Sequence, residues 1–370
     1  MGNKGKLFLH RNPYDYEGTK SLFFNAVKEN LAWHMAQCPE YAALLRAQGF
    51  SLPQLQTEAD FWKIPPLPTL YLKRNRFYSV PLERQALQAA SSGTQGVKSL
   101  IGLTRQDLYY GLGMLIRFFS YHHLLSFLPT NYLVLGYEPS GQNNMGAVKT
   151  AYASTRFAPA LHREYALKHT DKGYQENFAG VLEALCRYQK QGMPVRLVGF
   201  PAYLYFLLQE IQKHGLSFQL HPQSRILLGG GWKGFARQEM QEERLWEMAQ
   251  RLLGIKRENC HEFFSAVEHP LPYCKCPNGH FHVPIYSRAI VRDVKTLAPL
   301  PMGQLGLLSL LSPLVSGTPL CHVVTDDLAI LQEGKTCGCP IQTPYFTLEG
   351  RAQAKGLRTC AADAGQWLEG

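Results

Sequence analysis

Residues 224–234 read SRILLGGGWKG. An apolar run, Ile226 to Leu228, ends in three consecutive glycines, and a charged segment with helical spacing follows. A short apolar run closed by glycine is how a buried strand enters a turn. The same pattern recurs upstream. VRLVGFPAYLYFLLQEIQKHG (195–215) reads as strand, turn, helix, and NYLVLGYEPS (131–140) as a short apolar run ending in turn residues. Alternating strands and helices of this kind predict an α/β fold of layered sheets and helices with parallel strands.

Outward from this centre the patterns change. TKSLFFNAVKENLAWHMAQCPEYAALLRAQG (19–49) spaces its apolar residues by three and four, predicting one or two amphipathic helices. IPPLPTLYLKR (64–74) reads as a proline-stiffened connector, and a long helix is expected from about Arg105 to about His122. Beyond Cys260 helical periodicity weakens while Pro, Gly, Cys and His rise, so strands and loops are expected there. No internal repeat or low-complexity tract appears. The expected organisation is a helical N-terminal segment over 1–80, a core over 81–350 and a short tail over 351–370.

Composition narrows the function. With 45% hydrophobic residues in 370, a sizeable core forms. The net charge of +10 favours an anionic partner. The basic residues are dispersed and no nucleic-acid-binding signature is present, so no nucleic-acid partner is expected. The N-terminus lacks a signal-peptide pattern, and the longest apolar runs are too short for a membrane span, so a cytoplasmic protein is expected. Nine cysteines in a reducing compartment read as thiols or metal ligands rather than disulfides.

The stretch ASSGTQGVK (90–98) offers closely spaced backbone N–H groups and hydroxyls, which suit phosphate oxygens, with Lys98 as a point charge. It does not satisfy the Walker A pattern, and taken alone it reads as an ordinary surface turn. Four further motifs follow it in order. GGGWK (229–233) is a glycine turn with an aromatic and a lysine, FFSAVEH (263–269) carries Phe264 and Glu268, VVTDDLA (323–329) carries Asp327, and LEGR (348–351) ends in Arg351. Together they resemble the adenylate-forming superfamily of acyl and aryl ligases. The resemblance implies that Ser91, Ser92, Gly93, Thr94 and Gly96 cradle phosphates. It also implies that Gly229, Gly230, Gly231, Trp232, Lys233 and Phe264 flank the nucleotide base, Glu268 holds Mg²⁺, and Asp327 and Arg351 bind the ribose and phosphates of ATP.

Over nearly the whole chain the likeness sharpens. FWKIPPLPTLYLKRN (61–75), GGGWKGF (229–235), EHPLPYCKCPNGHFHVPIYSR (268–288), LLSLLSPLVSGTPL (307–320), and DDLA (326–329) followed by CGC (337–339) resemble the acyl-protein synthetases of fatty-acid reductase complexes, the LuxE type. That resemblance implies activation of a fatty acid to acyl-AMP, transfer to a cysteine near the C-terminus, and delivery to a partner acyl-thioester reductase. GRAQAKGLRTCAADAG (350–365) places Cys360 nine residues after Arg351, where the family's acylated cysteine stands. Nine residues reach at most about 30 Å, and the neighbouring cations Lys355 and Arg358 favour the thiolate. Catalytic roles therefore fall to Cys360, Glu268 and Lys98. Only nineteen residues follow Arg351, so the usual C-terminal lid domain is expected to be lacking, and with it the lid's lysine. Lys98, Lys233 or Lys355 can serve instead. Two other readings stay open: a phenylacetate-type acid–coenzyme A ligase, and a non-catalytic zinc-stabilised scaffold for a reductase.

Cys274-Lys-Cys276 and Cys337-Gly-Cys339 form two C-x-C pairs. Four thiolates complete a tetrahedral Zn²⁺ site, expected to be structural, and His269, His280 and His282 stand close enough to replace one sulfur. Four unliganded loop thiols are the alternative. Cys38, Cys186, Cys260 and Cys321 have no evident partners and read as core residues.

Overall fold

The computed structural model describes residues 1–90, 99–140, 152, 154–232, 235 and 240–352. The chain divides into two compact units, Met1–His122 with Ala266–Gly370, and His123–Ser265.

In the first unit, Asp15 caps the helix Tyr16–Gln37 by accepting the Gly18 N–H at 3.1 Å, and Pro39 opens the next helix, Pro39–Ala47. These are the two helices expected from the spacing. The connector reading of 64–74 needs correction. Leu67–Pro68 pairs in parallel with Val323–Val324, and Thr69–Arg74 is helical. Both prolines of the Pro65–Pro66 pair precede the strand, so neither removes a ladder donor. Helix Arg105–Tyr121 starts at a capping box in which Thr104 and Asp107 each accept the other's backbone N–H. Asp107 also takes the Ser316 N–H at 2.9 Å and an ion pair with Lys4 at 3.0 Å.

The sheet of this unit runs Phe281–His282, Tyr345–Arg351, His322–Gln332, Leu305–Leu311, Arg288–Arg292, antiparallel along this path, with Leu67–Pro68 added in parallel beside His322–Gln332. After Cys260 the described residues hold strands and a single 3-10 turn, Gly334–Thr336. A separate hairpin pairs Leu87–Ala90 with Leu100–Leu103. Its connection, 91–98, contains the phosphate-loop candidates Ser91, Ser92, Gly93, Thr94, Gly96 and Lys98, and lies outside the described residues. Its two flanks are paired, Ala90 opposite Leu100.

Three of the enclosed histidines of this unit are held neutral by burial. His34 bonds Ser79 Oγ at 2.7 Å and the Val315 carbonyl at 3.0 Å, and His322 bonds the Ile64 carbonyl at 2.8 Å. Burial holds His34 down at about 4, His269 at about 3, and His322 well below its ordinary value. Each stays neutral when folded and takes up a proton on unfolding below pH 6.5, so stability is full above that pH and falls as the pH drops toward 4. The expected slope is about 1.4 kcal/mol per pH unit per histidine. Urea titrations at pH 7, 6 and 5 measure it; a flat profile contradicts neutral burial.

In the second unit, strands Cys260–Ala266, Arg225–Gly229, Val195–Gly199, Thr130–Tyr137 and Ala160–Thr170 lie side by side in parallel, and Gly173–Glu176 adds an antiparallel edge. This is the parallel α/β layer the alternation predicted. Helices Phe178–Gln191, Pro201–Lys213 and Glu242–Leu253 supply Leu185, Leu208 and Leu253 to an apolar core with Leu133, Leu197 and Ile226 of the strands. Cys38, Cys260 and Cys321 are buried as expected, whereas Cys186 is exposed because it lies on the solvent side of its helix. Among the described residues no helix is long and apolar enough to cross a membrane.

Candidate functional site

Asp327 and Arg351 stand on adjacent antiparallel strands, directly opposite each other. Arg351 Nε lies 3.5 Å from Asp327 Oδ1. The register slips between Asp327 and Ala329, a bulge that re-aims side chains locally. Thr325 Oγ1 accepts the Asp327 N–H at 3.1 Å, which fixes the start of the carboxylate's approach. The Asp327 side chain is 20% exposed and that of Arg351 61%. Burial raises the Asp327 carboxyl above its ordinary value, and the Arg351 guanidinium opposes the rise. An acceptor carboxylate beside a largely exposed guanidinium suits a sugar diol next to phosphate oxygens.

Glu268 closes the short turn between strands Cys260–Ala266 and His269–Cys274 and is only 6% exposed. Ser99 Oγ donates to its Oε1 at 2.5 Å. Ser99 is the first described residue after the 91–98 connection, so the carboxylate is tied to the point where that loop re-enters the fold. Sequence reasoning passed over Ser99 because it stands just beyond the glycine-rich run. Behind Glu268, His269 Nε2 bonds Tyr273 Oη at 2.8 Å and Tyr273 bonds Ser287 Oγ at 2.7 Å. This buried chain anchors the strand that follows the turn.

In the second unit, Gly229 sits in register with Phe263, and a Cβ there would come within 3.2 Å of the Phe263 carbonyl. Gly230 and Gly231 have φ of 81° and 64°, which side chains rarely adopt. The triple glycine is thus a steric requirement of the turn. Trp232 follows and lies 5.8 Å from the Tyr205 ring, and Phe264 lies half-buried on its strand. Lys233, Lys355 and the proposed acyl carrier Cys360 lie outside the described residues.

The cysteine pairs do converge, with one correction. Cys276, Cys337, Cys339 and His282 hold their ligand atoms all within 4.8 Å of one another, and all four are buried. The Cys276 and Cys337 sulfurs are 3.6 Å apart, and His282 Nε2 is 3.2 Å from Cys339 Sγ. Cys274 does not join them: it ends the strand His269–Cys274 inside the core, with its Sγ toward the Lys275 carbonyl. His282 takes its place. The His282 Nδ1–H donates to the Thr343 carbonyl at 2.8 Å, which leaves Nε2 as the free lone pair a metal requires. His280 Nδ1 lies 3.1 Å from Cys337 Sγ at the edge of the group. Burial, with the neighbouring sulfurs, pushes the Cys339 thiol up to about 12; a cation among the sulfurs reverses that preference. Three sulfurs and one imidazole fit tetrahedral Zn²⁺.

A family model described as acyl-protein synthetase, LuxE, matches residues 4–368. Two long-chain-fatty-acid–luciferin-component ligases align with 94% of the chain. That of Vibrio harveyi is 23% identical over 350 residues, 88% of its length, and that of Aliivibrio fischeri 25% identical over 353, 89% of its length. Among solved structures, 2-hydroxyisobutyryl-CoA ligase in the postadenylation state matches with a TM-score of 0.68 at 15% identity, covering 93% of this chain and 70% of that one. An open conformation of the same ligase gives 0.67, covering 92% and 76%. At that identity the likeness is one of fold, the α/β fold of the adenylate-forming ligases.

Proposed function

Because the chain belongs to the acyl-protein synthetase (LuxE) family, we propose that it activates a long-chain fatty acid with ATP and loads the acyl group onto its own Cys360. A carboxylate oxygen of the acid attacks the α-phosphorus of ATP, the bond to the bridging oxygen breaks, and pyrophosphate leaves. The Cys360 thiolate then attacks the acyl carbon of the acyl-AMP, and AMP leaves as the thioester forms. The thioester is delivered, in the cytoplasm, to a partner acyl reductase.

The observation that carries this reading is the pairing of Asp327 with Arg351. Asp327 accepts the ribose hydroxyls, and Arg351 opposes the rise that burial gives its carboxyl while reaching the phosphates. Glu268, oriented by Ser99, is placed to hold Mg²⁺, which neutralises phosphate charge when bound. Ser91, Ser92, Gly93, Thr94 and Gly96 cradle the phosphates, with Lys98 countering the charge that develops on them. The test is ATP–pyrophosphate exchange with saturated fatty acids from octanoate to octadecanoate. Exchange that depends on the added acid is expected; exchange indifferent to every acid overturns the reading.

Cys276, His282, Cys337 and Cys339 would hold a structural Zn²⁺ that ties the turn 276–280 to the loop 337–339. Elemental analysis is expected to find about one zinc per chain, retained in Cys274→Ser and lost in Cys339→Ser, with a loss of several kcal/mol in stability for the latter. Equal zinc in both variants contradicts the assignment.

A further inference from the structure

The helices of the second unit cover one face of its parallel sheet. The opposite face carries a row of cations at the end where the strands begin. Register places Arg163 beside Tyr132, Tyr132 beside Arg196, and Arg196 beside Arg225. His261 pairs with Leu227, two residues along from Arg225, and so shares that face. Arg163 is already engaged, donating from Nε to Thr155 Oγ1 at 2.8 Å and lying over the Tyr152 ring. Of the inner pair, Arg196 shares one side-chain hydrogen bond, with Tyr132.

Arg196 is 3% exposed, and its Nη1 is buried without a hydrogen-bond partner. His261 Nε2 is buried and unpartnered as well. Among the described residues no carboxylate forms an ion pair with Arg196 or Arg225. Burial disfavours the charged form of both, and the positive charge of Arg196 adds to this at Arg225. A guanidinium cannot shed its proton to escape burial. Two adjacent ones without a counter-charge are costly, since buried charge requires a partner. Their strands lie about 4.8 Å apart, so the two arginines leave the same face of the sheet side by side, and a planar guanidinium fork matches a tetrahedral oxyanion.

We propose that Arg196 and Arg225, with His261 at their side, hold a phosphate-class oxyanion on this face of the sheet. The site is not the turn assigned to the nucleotide. Gly229 ends the strand that Arg225 begins, about 13 Å further along. The oxyanion supplies the missing acceptor for Arg196 Nη1 and relieves the repulsion between the two arginines. Either free phosphate or the phosphate of a small monoester satisfies this chemistry.

Thermal unfolding of the full chain, without ATP or fatty acid, tests the site in inorganic phosphate against chloride of matched ionic strength. The wild type is expected to gain stability with phosphate and not with chloride. Arg196→Met should weaken phosphate affinity about tenfold or more. Should that variant fail to fold, Arg225→Gln, at a half-buried position, is expected to show the same loss. Crystals soaked in tungstate should show anomalous density within hydrogen-bonding reach of both guanidinium groups. Glycerol 3-phosphate separates the sources: equal affinity assigns the site to free phosphate, and tighter binding to a monoester. Identical responses to phosphate and chloride, or variants that respond like the wild type, overturn the proposal, as does a soak with no density at the pair.

Discussion

Cys360→Ser is expected to keep fatty-acid-dependent ATP–pyrophosphate exchange and to lose stable acyl labelling of the chain. The two half-reactions use different groups. Exchange needs only the nucleotide and acid sites, whereas retention of the acyl group needs a nucleophile that is partly ionised near neutrality. A thiol supplies a few per cent thiolate there and a serine hydroxyl supplies essentially none, so labelling should fall by about a hundredfold or more. Cys186 is the internal control, because it is exposed while the other described cysteines are buried. Cys186→Ser should label like the wild type. Label that survives in Cys360→Ser, or that disappears in Cys186→Ser, removes Cys360 as the carrier.

The second large effect is expected at Asp327. Each hydrogen bond from a neutral hydroxyl to a carboxylate contributes about 1.5–3 kcal/mol. Loss of two in Asp327→Ala should lower kcat/KM for ATP in the exchange reaction by a hundredfold or more. Arg351→Gln gives a distinct signature. Burial already raises the Asp327 carboxyl, and Arg351 is the group that holds it back. Without the guanidinium the carboxyl rises further, so the acidic limb of the pH–rate profile, where Asp327 protonates, should move to higher pH. An acidic limb that stays in place shows that Arg351 does not act through Asp327.

Local patterns in the sequence were sufficient for the strand–glycine-turn–helix units of residues 123–265, because apolar runs closed by glycine leave few alternatives. Asp327 and Arg351 were singled out one by one by the family resemblance, whereas their pairing depends on strand register. The cluster of three cysteines and a histidine was legible only in part. Both C-x-C pairs have the same spacing but different backbones. Cys274 ends a strand, whereas Cys276 belongs to a tight turn in which its N–H bonds the His280 carbonyl at 2.9 Å. That change of backbone separates two residues that spacing alone would place together. Cys337 and Cys339 flank Gly338, whose φ of 78° curls both sulfurs to one side. Lateral register likewise hid the Arg196–Arg225 pair, whose members lie far apart in sequence and in unremarkable contexts. Nor does the chain announce that residues from 266 onward rejoin 1–122 in one compact unit. That return is decided by strand pairing such as Leu67–Pro68 with Val323–Val324.

The most direct test of the account follows an oxygen atom. Fatty acid labelled with ¹⁸O in both carboxyl positions, incubated with the protein and ATP, is expected to pass one ¹⁸O to AMP, since the acid's oxygen forms the bond to the α-phosphorus that survives acyl transfer. AMP released without ¹⁸O, while acyl groups still load onto the chain, would mean that no acyl-AMP was formed and would contradict the account.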